Sequence, residues 1–239
     1  MTSYDVFATF YDQVMGDRGR EADYVESLIS KHHPEARTVL ELACGTGAIL
    51  AQLGRRHEVA GLDASRGMLE IAARKIPKAR LFCEDMTRFD LGERFDIVLC
   101  VFDSINHLLL FEEWEAVFDR AREHLTDRGI FIFDVNTERK LASFADGPSW
   151  TQWFDGDNLL LIDVRDGGGG IYDWKIRVFE HRHDSRYRLH SEDIREVAFP
   201  RERIELAVSK RFAHMRIYDA ERQRPSSRSL RLHFVCGAS

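Results

Sequence analysis

The stretch that decides the fold is residues 38–49, TVLELACGTGAI, in which an apolar run ends at two glycines one residue apart. The apolar run predicts a buried strand from Thr38 to Ala43, and the apolar residues after the glycines predict a helix from about Gly47 to Arg55. In a parallel sheet, the loop between such a strand and helix is a usual ligand cradle, because amide donors at the helix start face it. The segment therefore predicts a site for a nucleotide-like ligand.

The spacing of the glycines narrows the identity of that ligand. A dinucleotide fingerprint needs a third glycine where the chain has Leu50, and the phosphate-loop pattern is absent. Nothing in the loop specifically addresses a pyrophosphate or a triphosphate. A glycine pair can also be a plain strand-to-helix turn, so the assignment depends on further signals.

Acidic residues supply those signals. Asp63 follows a predicted strand at 58–62, where its carboxylate can accept hydrogen bonds from both hydroxyls of a ribose, although it could instead cap the next helix. Asp85 and Met86 follow a strand at 80–83, where an acid can receive an exocyclic amine and an apolar side chain can lie on an adenine ring. Glu41 lies inside the apolar first strand, and a buried carboxylate needs a partner.

Strand-like and helical runs alternate over the first 135 residues, which predicts a parallel sheet with helices on both faces. Period-two alternation between 150 and 199 predicts antiparallel strands, and the glycines at 167–170 predict a hairpin turn, with a flexible linker as the alternative. The other predicted elements are helices at 65–75, 112–125 and 201–209 and strands at 95–101, 130–135, 211–218 and 229–236.

Five segments in the first part of the chain resemble the successive motifs of class I S-adenosylmethionine-dependent methyltransferases. They are VLELACGTGAIL, GLDASRGMLEIAARK, FCEDMTRFDL, FDIVLCVFDSINHLL and GIFIFDVNT, spread over residues 38–137. The chain is most similar to small-molecule methyltransferases that begin with a helix containing Tyr-Asp, here Tyr11-Asp12, and carry an antiparallel insertion after the fifth strand. The resemblance implies an α/β fold with a Rossmann-like seven-stranded sheet of order 3-2-1-4-5-7-6, the last strand antiparallel.

The resemblance also implies a binding site for S-adenosylmethionine. Gly45 and Gly47 would flank its methionyl part, Asp63 would hold the ribose, Asp85 and Met86 would receive the adenine, and Tyr11 would cover the methionyl end. The full set of cofactor-binding residues that we predict is Tyr11, Glu41, Ala43, Gly45, Gly47, Asp63, Ala64, Met68, Asp85, Met86, Cys100 and Phe102.

The sequence departs from the family pattern in two places. Ala43 stands where the family has the first glycine of its acid-x-Gly-x-Gly-x-Gly pattern, a small replacement at a strand end. The close relatives also tend to place a histidine in the strand before the last helix, where this chain has Ile194.

Candidate catalytic residues are His107, Asp103 and Tyr11. The sulfonium methyl is already activated, so catalysis consists mainly of positioning the acceptor, with a base where the acceptor must lose a proton. His107 and Asp103 lie in a segment after the fourth strand, and imidazole accepts protons near neutrality. The alternative is that Asp103 or Ser104 caps the next helix and His107 packs beneath it.

The sequence predicts three parts: residues 1–137 as the S-adenosylmethionine-binding core with an N-terminal lid helix, residues 138–199 as the antiparallel insertion, and residues 200–239 as a helix and strands that complete the core sheet. The insertion could form a substrate pocket, with Trp150, Trp153, Tyr172 and Trp174 as walls, or could contact a second copy. Aromatic residues on strand faces are also common in cores.

Composition favours a globular cytoplasmic protein. The 239 residues are 44% hydrophobic with a net charge of −6, the amino-terminal segment is acidic rather than signal-like, and four scattered cysteines suggest neither zinc nor disulfides. From Lys175 onward, 15 Lys and Arg stand against 9 Asp and Glu, but they are dispersed and do not indicate nucleic-acid binding. We expect no metal, no nucleic acid and no membrane partner, and a monomer or homodimer that acts on a small molecule.

The sequence thus predicts an enzyme that transfers a methyl group from S-adenosylmethionine to a small-molecule acceptor, most readily at N or O. The alternative is a non-catalytic S-adenosylmethionine-binding or assembly protein. A nicotinamide-dependent reductase is disfavoured by Leu50 and by the lack of a hydride-acceptor motif.

Overall fold

The structure is a computed structural model that describes residues 7–222 and 224–239. Its helices are α1 (Ala8–Met15), α2 (Gly19–His32), α3 (Ala48–Leu53), α4 (Arg66–Lys75), α5 (Phe111–Glu123), α6 (Glu138–Ala145) and α7 (Arg201–Ser209). Its strands are β1 (Thr38–Leu42), β2 (Glu58–Asp63), β3 (Arg80–Cys83), β4 (Phe95–Cys100), β5 (Leu125–Asn136), β6 (Trp150–Phe154), β7 (Asn158–Gly168), β8 (Ile171–His181), β9 (Tyr187–Val197), β10 (His214–Tyr218) and β11 (Arg231–Gly237).

Seven strands form the main sheet in the order β10-β11-β5-β4-β1-β2-β3. The neighbours from β3 to β5 pair in parallel, whereas β11 is antiparallel to both β5 and β10. With β10 and β11 counted as the sixth and seventh strands of the core, this is the predicted order 3-2-1-4-5-7-6 with an antiparallel last strand. The predicted fold class is therefore confirmed.

The insertion is a separate antiparallel sheet of order β6-β7-β8-β9. The glycines at 167–170 form the tight turn between β7 and β8, and three of them have positive φ, which confirms the hairpin rather than a linker. One face of this sheet packs against α1 through apolar side chains of both, among them Phe10, Phe154 and Ile176. The insertion therefore lies against the N-terminal helix and not apart from the core.

Apolar layers cover both faces of the main sheet, as expected for parallel strands enclosed by helices. On one face, Trp114 and Phe118 of α5 are fully buried against the sheet together with Phe131, Phe133 and Phe234. The other face is covered by α2 and α3. The carboxyl ends of the parallel strands remain as the edge at which a ligand can bind.

Two helices, α2 and α6, were not predicted from the sequence. The buried side chains of α2 recur at helical spacing, at Ala22, Val25 and Ile29, between polar residues that dominate the segment. The helix α6 buries a single side chain, Leu141, so it has almost no apolar periodicity; it begins where the Thr137 hydroxyl accepts a hydrogen bond from the Lys140 amide. Strand β5 is also longer than predicted, because its first residues pair with Phe95 across a register shift.

The three-part division of the chain stays a prediction. The predicted N-terminal lid helix is present as α1, and residues 1–6 before it lie outside the described residues. Among the residues that the structure describes, no helix is both long and apolar enough to span a bilayer.

The first prediction concerns Ala43, the residue that stands at the family's glycine position. Its φ is +53°, a left-handed conformation that costs an L-residue about 1–2 kcal/mol and a glycine very little. We expect Ala43→Gly to raise the free energy of unfolding by about 1 kcal/mol in urea denaturation. The control Ala51→Gly, inside α3, should lower it by about 0.5–1 kcal/mol. A loss of stability in both variants would contradict strain at position 43.

Candidate functional site

The glycine loop is organised by the carboxylate of Asp63 at the end of β2. One carboxylate oxygen accepts a hydrogen bond from the Gly45 amide at 2.8 Å, and the other accepts one from the Ser65 amide at 2.8 Å. The Ser65 hydroxyl accepts a hydrogen bond from the Met68 amide and so caps α4. Asp63 therefore joins the loop after β1 to the end of β2. The side chain that caps α4 is Ser65 and not Asp63.

The two glycines of the loop have different surroundings. Both have positive φ, +54° at Gly45 and +73° at Gly47. A β-carbon at Gly45 would meet no described atom within 4 Å, whereas one at Gly47 would lie 2.8 Å from Cδ1 of Ile76. Gly45 therefore leaves the open backbone that a ligand can approach, whereas Gly47 is set mainly by its positive φ and lies against Ile76 and Ala72.

Glu41 is a buried carboxyl on β1 directly below this loop. It accepts a hydrogen bond from the Leu50 amide, yet its Oε2 atom is buried without a hydrogen-bond partner among the described residues. Burial raises the pKa of Glu41, and the neighbouring Asp63 carboxylate raises it further. An orphaned acidic oxygen beneath an open backbone fits a ligand that brings positive charge or donors, as the methionyl part of S-adenosylmethionine does.

Asp85 and Met86, the residues predicted to receive adenine, follow β3, and the predicted cofactor residues Ala64 and Met68 follow β2. Asp85 accepts hydrogen bonds from the amide and the hydroxyl of Thr87, so its Oδ1 atom orders the turn after β3. Met86 is partly buried against the main core, Met68 is buried on α4, and Ala64 is exposed. The structure thus brings these four positions to one edge of the sheet, beside Asp63.

Helix α1 is tied to the glycine loop by charged and polar contacts. Asp12 accepts a hydrogen bond from the buried Thr46 hydroxyl at 2.6 Å and forms an ion pair with Lys75 at 2.8 Å. The neighbouring Tyr11 lies close enough to Asp63, Asp103 and Glu41 for their charges to act on it, and burial raises its pKa to about 12. Asp12 therefore contacts the glycine loop, and Tyr11 lies near the acids of the predicted cofactor site.

Two consecutive residues after β4 have strained backbones. Phe102 and Asp103 have φ values of +60° and +52°, which non-glycine residues adopt rarely and mostly at functional sites. Asp134 of β5 accepts the Asp103 amide at 2.6 Å, and Arg231 of β11 binds both acids, with a 3.0 Å hydrogen bond to Asp134. The Arg18 guanidinium lies 4.8 Å from the centre of the Phe102 ring. These contacts hold the strained pair in place.

Asp103 does not cap the following 3-10 turn, Ser104–His107, with its side chain, because that side chain binds Arg231. Cys100, at the end of β4, is fully buried in the main apolar cluster, and burial raises its pKa. The thiol therefore packs in the core while Phe102 and Asp103 lie at the edge of the sheet.

His107 ends the 3-10 turn and contacts the insertion sheet. Its Nδ1 atom lies 3.2 Å from the Arg195 carbonyl of β9, so Nδ1 carries the proton and the Nε2 atom carries the lone pair of the neutral ring. Burial lowers the pKa of His107, opposed by the Asp103 carboxylate. The imidazole is therefore neutral near pH 7.

Several polar residues near Asp103 were not predicted from the sequence. Asp134 and Asn136 end β5 within the recognised GIFIFDVNT segment, so their position after a buried strand was a usable signal. Lys140, Glu196 and Arg231 come from α6, β9 and β11, which no motif connects to this edge. Of these, Arg231 is the best partnered, because it bridges Asp103 and Asp134.

The aromatic residues predicted as substrate walls are dispersed. Trp150 and Trp153 are 48% and 62% exposed on β6, whereas Tyr172 is buried beside Leu141, and Trp174 is partly buried near them. The structure therefore does not gather these four side chains into one pocket. Among the described residues, no group of three or more His, Cys, Asp or Glu side chains could hold a metal ion.

A cleft of about 390 Å³ lies between α1 and the outer end of the insertion sheet, lined by Thr9, Phe10, Gln13, Asp155, Asp157, Asn158, Glu180 and His181. It contains none of the predicted site residues. The glycine loop, the strained pair and His107 lie instead at the carboxyl edge of the main sheet. This edge, and not the cleft, is therefore the candidate site.

The chain is similar to known methyltransferases. Residues 39–129 match the family profile described as a methyltransferase domain. Over 132 residues, the chain is 39% identical to the dTDP-3-amino-3,6-dideoxy-alpha-D-glucopyranose N,N-dimethyltransferase of Streptomyces fradiae, an alignment that covers 53% of this chain and 52% of that relative. The chain thus spans about half the length of this curated relative.

Two further similarities extend over more of the chain. The Bacillus subtilis (strain 168) protein YqeM, whose name as a methyltransferase is provisional, is 32% identical over 177 residues, covering 66% of this chain and 70% of YqeM. The crystal structure of the sugar N-methyltransferase KedS8 from Streptoalloteichus sp ATCC 53650 superposes with a TM-score of 0.81 at 25% identity, covering 96% of this chain and 92% of that one.

The second prediction separates the two glycines. Gly45→Ala should weaken binding of S-adenosylhomocysteine in calorimetry by at least tenfold, because its β-carbon enters the open cradle, and should cost about 1 kcal/mol of stability through its φ. Gly47→Ala would in addition displace the tip of the Ile76 side chain and press against Cβ of Ala72, and it should lose about 1 kcal/mol more than Gly45→Ala in urea denaturation. Equal stability losses and equal affinities in the two variants would contradict the division of roles.

Proposed function

The chain belongs to the class I S-adenosylmethionine-dependent methyltransferases, and we propose that it methylates the amino group of a small molecule, with nucleotide-linked amino sugars as the acceptor class. The observation that carries the proposal is a shared edge: the open backbone at Gly45 and the neutral imidazole of His107 follow β1 and β4, which pair directly. The names of the Streptomyces fradiae relative and of KedS8 support an amine on a sugar. The reaction takes place in the cytoplasm.

S-adenosylmethionine, when bound, supplies a methyl group on a positively charged sulfur. Gly45 would offer its backbone to the methionyl part, Glu41 would offer its orphaned oxygen, and Asp63, which holds the loop, would bind the ribose. Asp85 and Met86 would receive the adenine. Ala43, Ala64, Met68 and Phe102 would complete the walls of the site, with Cys100 and Gly47 behind them.

His107 is the base. An amine is an ammonium ion in neutral water, and it has a lone pair for attack only after one proton has left the nitrogen. The Nε2 atom of His107 accepts that proton, and the Arg195 carbonyl holds the ring in the required tautomer. Asp103, fixed by Arg231, lies near enough to stabilise the imidazolium that results.

The helix α1 acts as the lid. It packs on the insertion sheet through Phe10 and is tied to the glycine loop through Asp12, so it bridges the two sheets beside the cofactor site. Tyr11 covers the methionyl end. An ion pair as exposed as that between Asp12 and Lys75 contributes little, on the order of 0.2–1 kcal/mol, which suits a helix that must release product.

The alternative of a non-catalytic S-adenosylmethionine-binding protein has no observation in its favour among the described residues. Such a protein would bind S-adenosylmethionine and transfer no methyl group to any acceptor, so turnover decides between the two functions.

The test of the lid is hydrogen exchange with and without S-adenosylhomocysteine. We expect ligand to protect residues 7–15, and we expect Asp12→Asn to speed exchange of the same residues in the free protein by about two- to fivefold, because it removes the ion pair. Asp23→Asn, an exposed acid on α2, is the control and should leave α1 unchanged. Identical exchange in all samples would show that α1 is a fixed part of the core.

The test of the proposed activity is labelled-methyl transfer to dTDP-3-amino-3,6-dideoxyglucose and to its 3-hydroxy counterpart. We expect transfer to the amine, and a loss of about 10²- to 10⁴-fold in kcat for His107→Ala with unchanged affinity for S-adenosylmethionine. The parent rate should fall as the pH drops below the pKa of His107, and the variant should lack this acidic limb.

The exposed His214 on β10 provides the matched control, and His214→Ala should keep the parent profile. Methyl transfer to the hydroxyl sugar alone would contradict the amine as acceptor. A His107→Ala profile parallel to that of the parent, with a modest drop in rate, would make His107 a packing residue and leave catalysis to proximity.

A further inference from the structure

Glu196 of β9 is a buried acid that the proposed mechanism does not use. It is 3% exposed, and one of its oxygens accepts a hydrogen bond from the Asn136 side chain at 3.3 Å. Within residues 7–222 and 224–239, no ion pair at 4.0 Å or less joins Glu196 to a basic side chain, although Arg231 pairs with two other acids nearby. A carboxyl buried without a counter-ion is costly to ionise and calls for an explanation.

The backbone around Glu196 is fixed to the turn that carries His107. The Arg195 carbonyl accepts a hydrogen bond from His107 Nδ1 at 3.2 Å, and the Val197 carbonyl accepts one from the Asn106 side chain at 2.8 Å. Glu196 lies between these two anchors, so its position relative to the imidazole is set by hydrogen bonds on either side. The backbone on both sides of Glu196 is therefore hydrogen-bonded to the turn that carries the base.

The charges that face Glu196 come from each neighbouring element. Asp103 after β4 opposes its ionisation, whereas Lys140 of α6 and Arg231 of β11 favour it from beyond contact distance, and Asn136 of β5 donates to it. Burial, together with Asp103, raises the pKa of Glu196 to about 8. Because Asp103 already pairs with Arg231, Glu196 is the acid of this group that has no basic side chain within 4.0 Å among the described residues.

We propose that Glu196 is a specificity-determining residue of the acceptor site, whose carboxylate serves as the counter-ion of the acceptor ammonium beside His107. This inference rests on the proposed function. The protonated carboxyl and an incoming R–NH₃⁺ form a carboxylate–ammonium pair and release one proton to solvent. His107 then takes a second proton from the nitrogen and leaves the lone pair for attack. A hydroxyl acceptor brings no charge, so it gains nothing from Glu196.

The experiment is calorimetry on the full chain saturated with S-adenosylhomocysteine, titrated with dTDP-3-amino-3,6-dideoxyglucose and with its 3-hydroxy counterpart. The parent should bind the amine about ten- to a hundredfold more tightly than the hydroxyl sugar. Glu196→Gln keeps the shape and the hydrogen bond from Asn136, so it should bring the two affinities within about threefold of each other. The exposed Glu202 on α7 is the matched control, and Glu202→Gln should keep the parent preference.

Proton release provides a readout that a packing role would not move. At pH 7, in two buffers of different ionisation enthalpy, amine binding to the parent should release close to one proton, and binding to Glu196→Gln should release close to none. The hydroxyl sugar should release none in either protein. A Glu196→Gln variant that keeps both the amine preference and the proton release would overturn the proposal.

Folding is checked by urea denaturation over pH. In the parent, the folded state holds the Glu196 proton up to about pH 8 while the unfolded chain loses it near 4.5, so stability should fall as the pH rises between these values. The folding constant should change by up to tenfold per pH unit from this group, and Glu196→Gln should flatten that slope. A parent that binds neither sugar but still binds S-adenosylhomocysteine would contradict the proposed acceptor class and the role of Glu196 with it. Amine binding without discrimination in the parent would overturn the role of Glu196 alone.

Discussion

The site depends on the buried side chain of Asn106, which connects three segments of the fold by hydrogen bonds. Its amide donates to the carbonyl oxygens of Asn136 and Val197, its carbonyl accepts a hydrogen bond from the Asn136 amide, and the side chain is fully buried. Three buried hydrogen bonds from one residue thereby connect the end of β5, the end of β9 and the turn after β4. Because an unsatisfied buried polar group costs about 1–3 kcal/mol, these bonds hold the insertion sheet in one position relative to the core.

The strained turn after β4 follows from these hydrogen bonds. Two consecutive left-handed residues, Phe102 and Asp103, persist only where surrounding contacts outweigh a cost of about 1–3 kcal/mol each. Arg231 and Asp134 provide those contacts on one side, and the Asn106 bonds fix the chain on the other. The two left-handed residues turn the chain after β4. His107, four residues after Asp103, then forms a hydrogen bond with the Arg195 carbonyl of β9.

Charge distribution gives the site its chemical character. Glu41, Asp63, Asp103 and Glu196 all lie along the carboxyl edge, and the two most buried, Glu41 and Glu196, have raised pKa values. Such acids are stable as neutral groups until a cation arrives, at which point ionisation is favoured. An acceptor ammonium and a sulfonium both carry positive charge, so an edge of this kind suits the two ligands of the proposed reaction.

The sequence by itself determined the main sheet and the glycine loop. Apolar runs separated by helical patterns predicted the parallel strands β1 to β5, because a strand that is buried on both faces needs a largely continuous apolar segment. The same reading placed Gly45 and Asp63 at the ends of β1 and β2, and His107 in the segment after β4. Tertiary structure decided what lies opposite those residues. Arg231 reaches Asp103 across 128 positions of sequence, and Glu196 reaches Asn136 across 60, through side chains that no local pattern connects. Such pairs become neighbours only when the antiparallel strand β11 and the insertion sheet close on the core, because charge and burial are properties of that closed arrangement and not of any one segment.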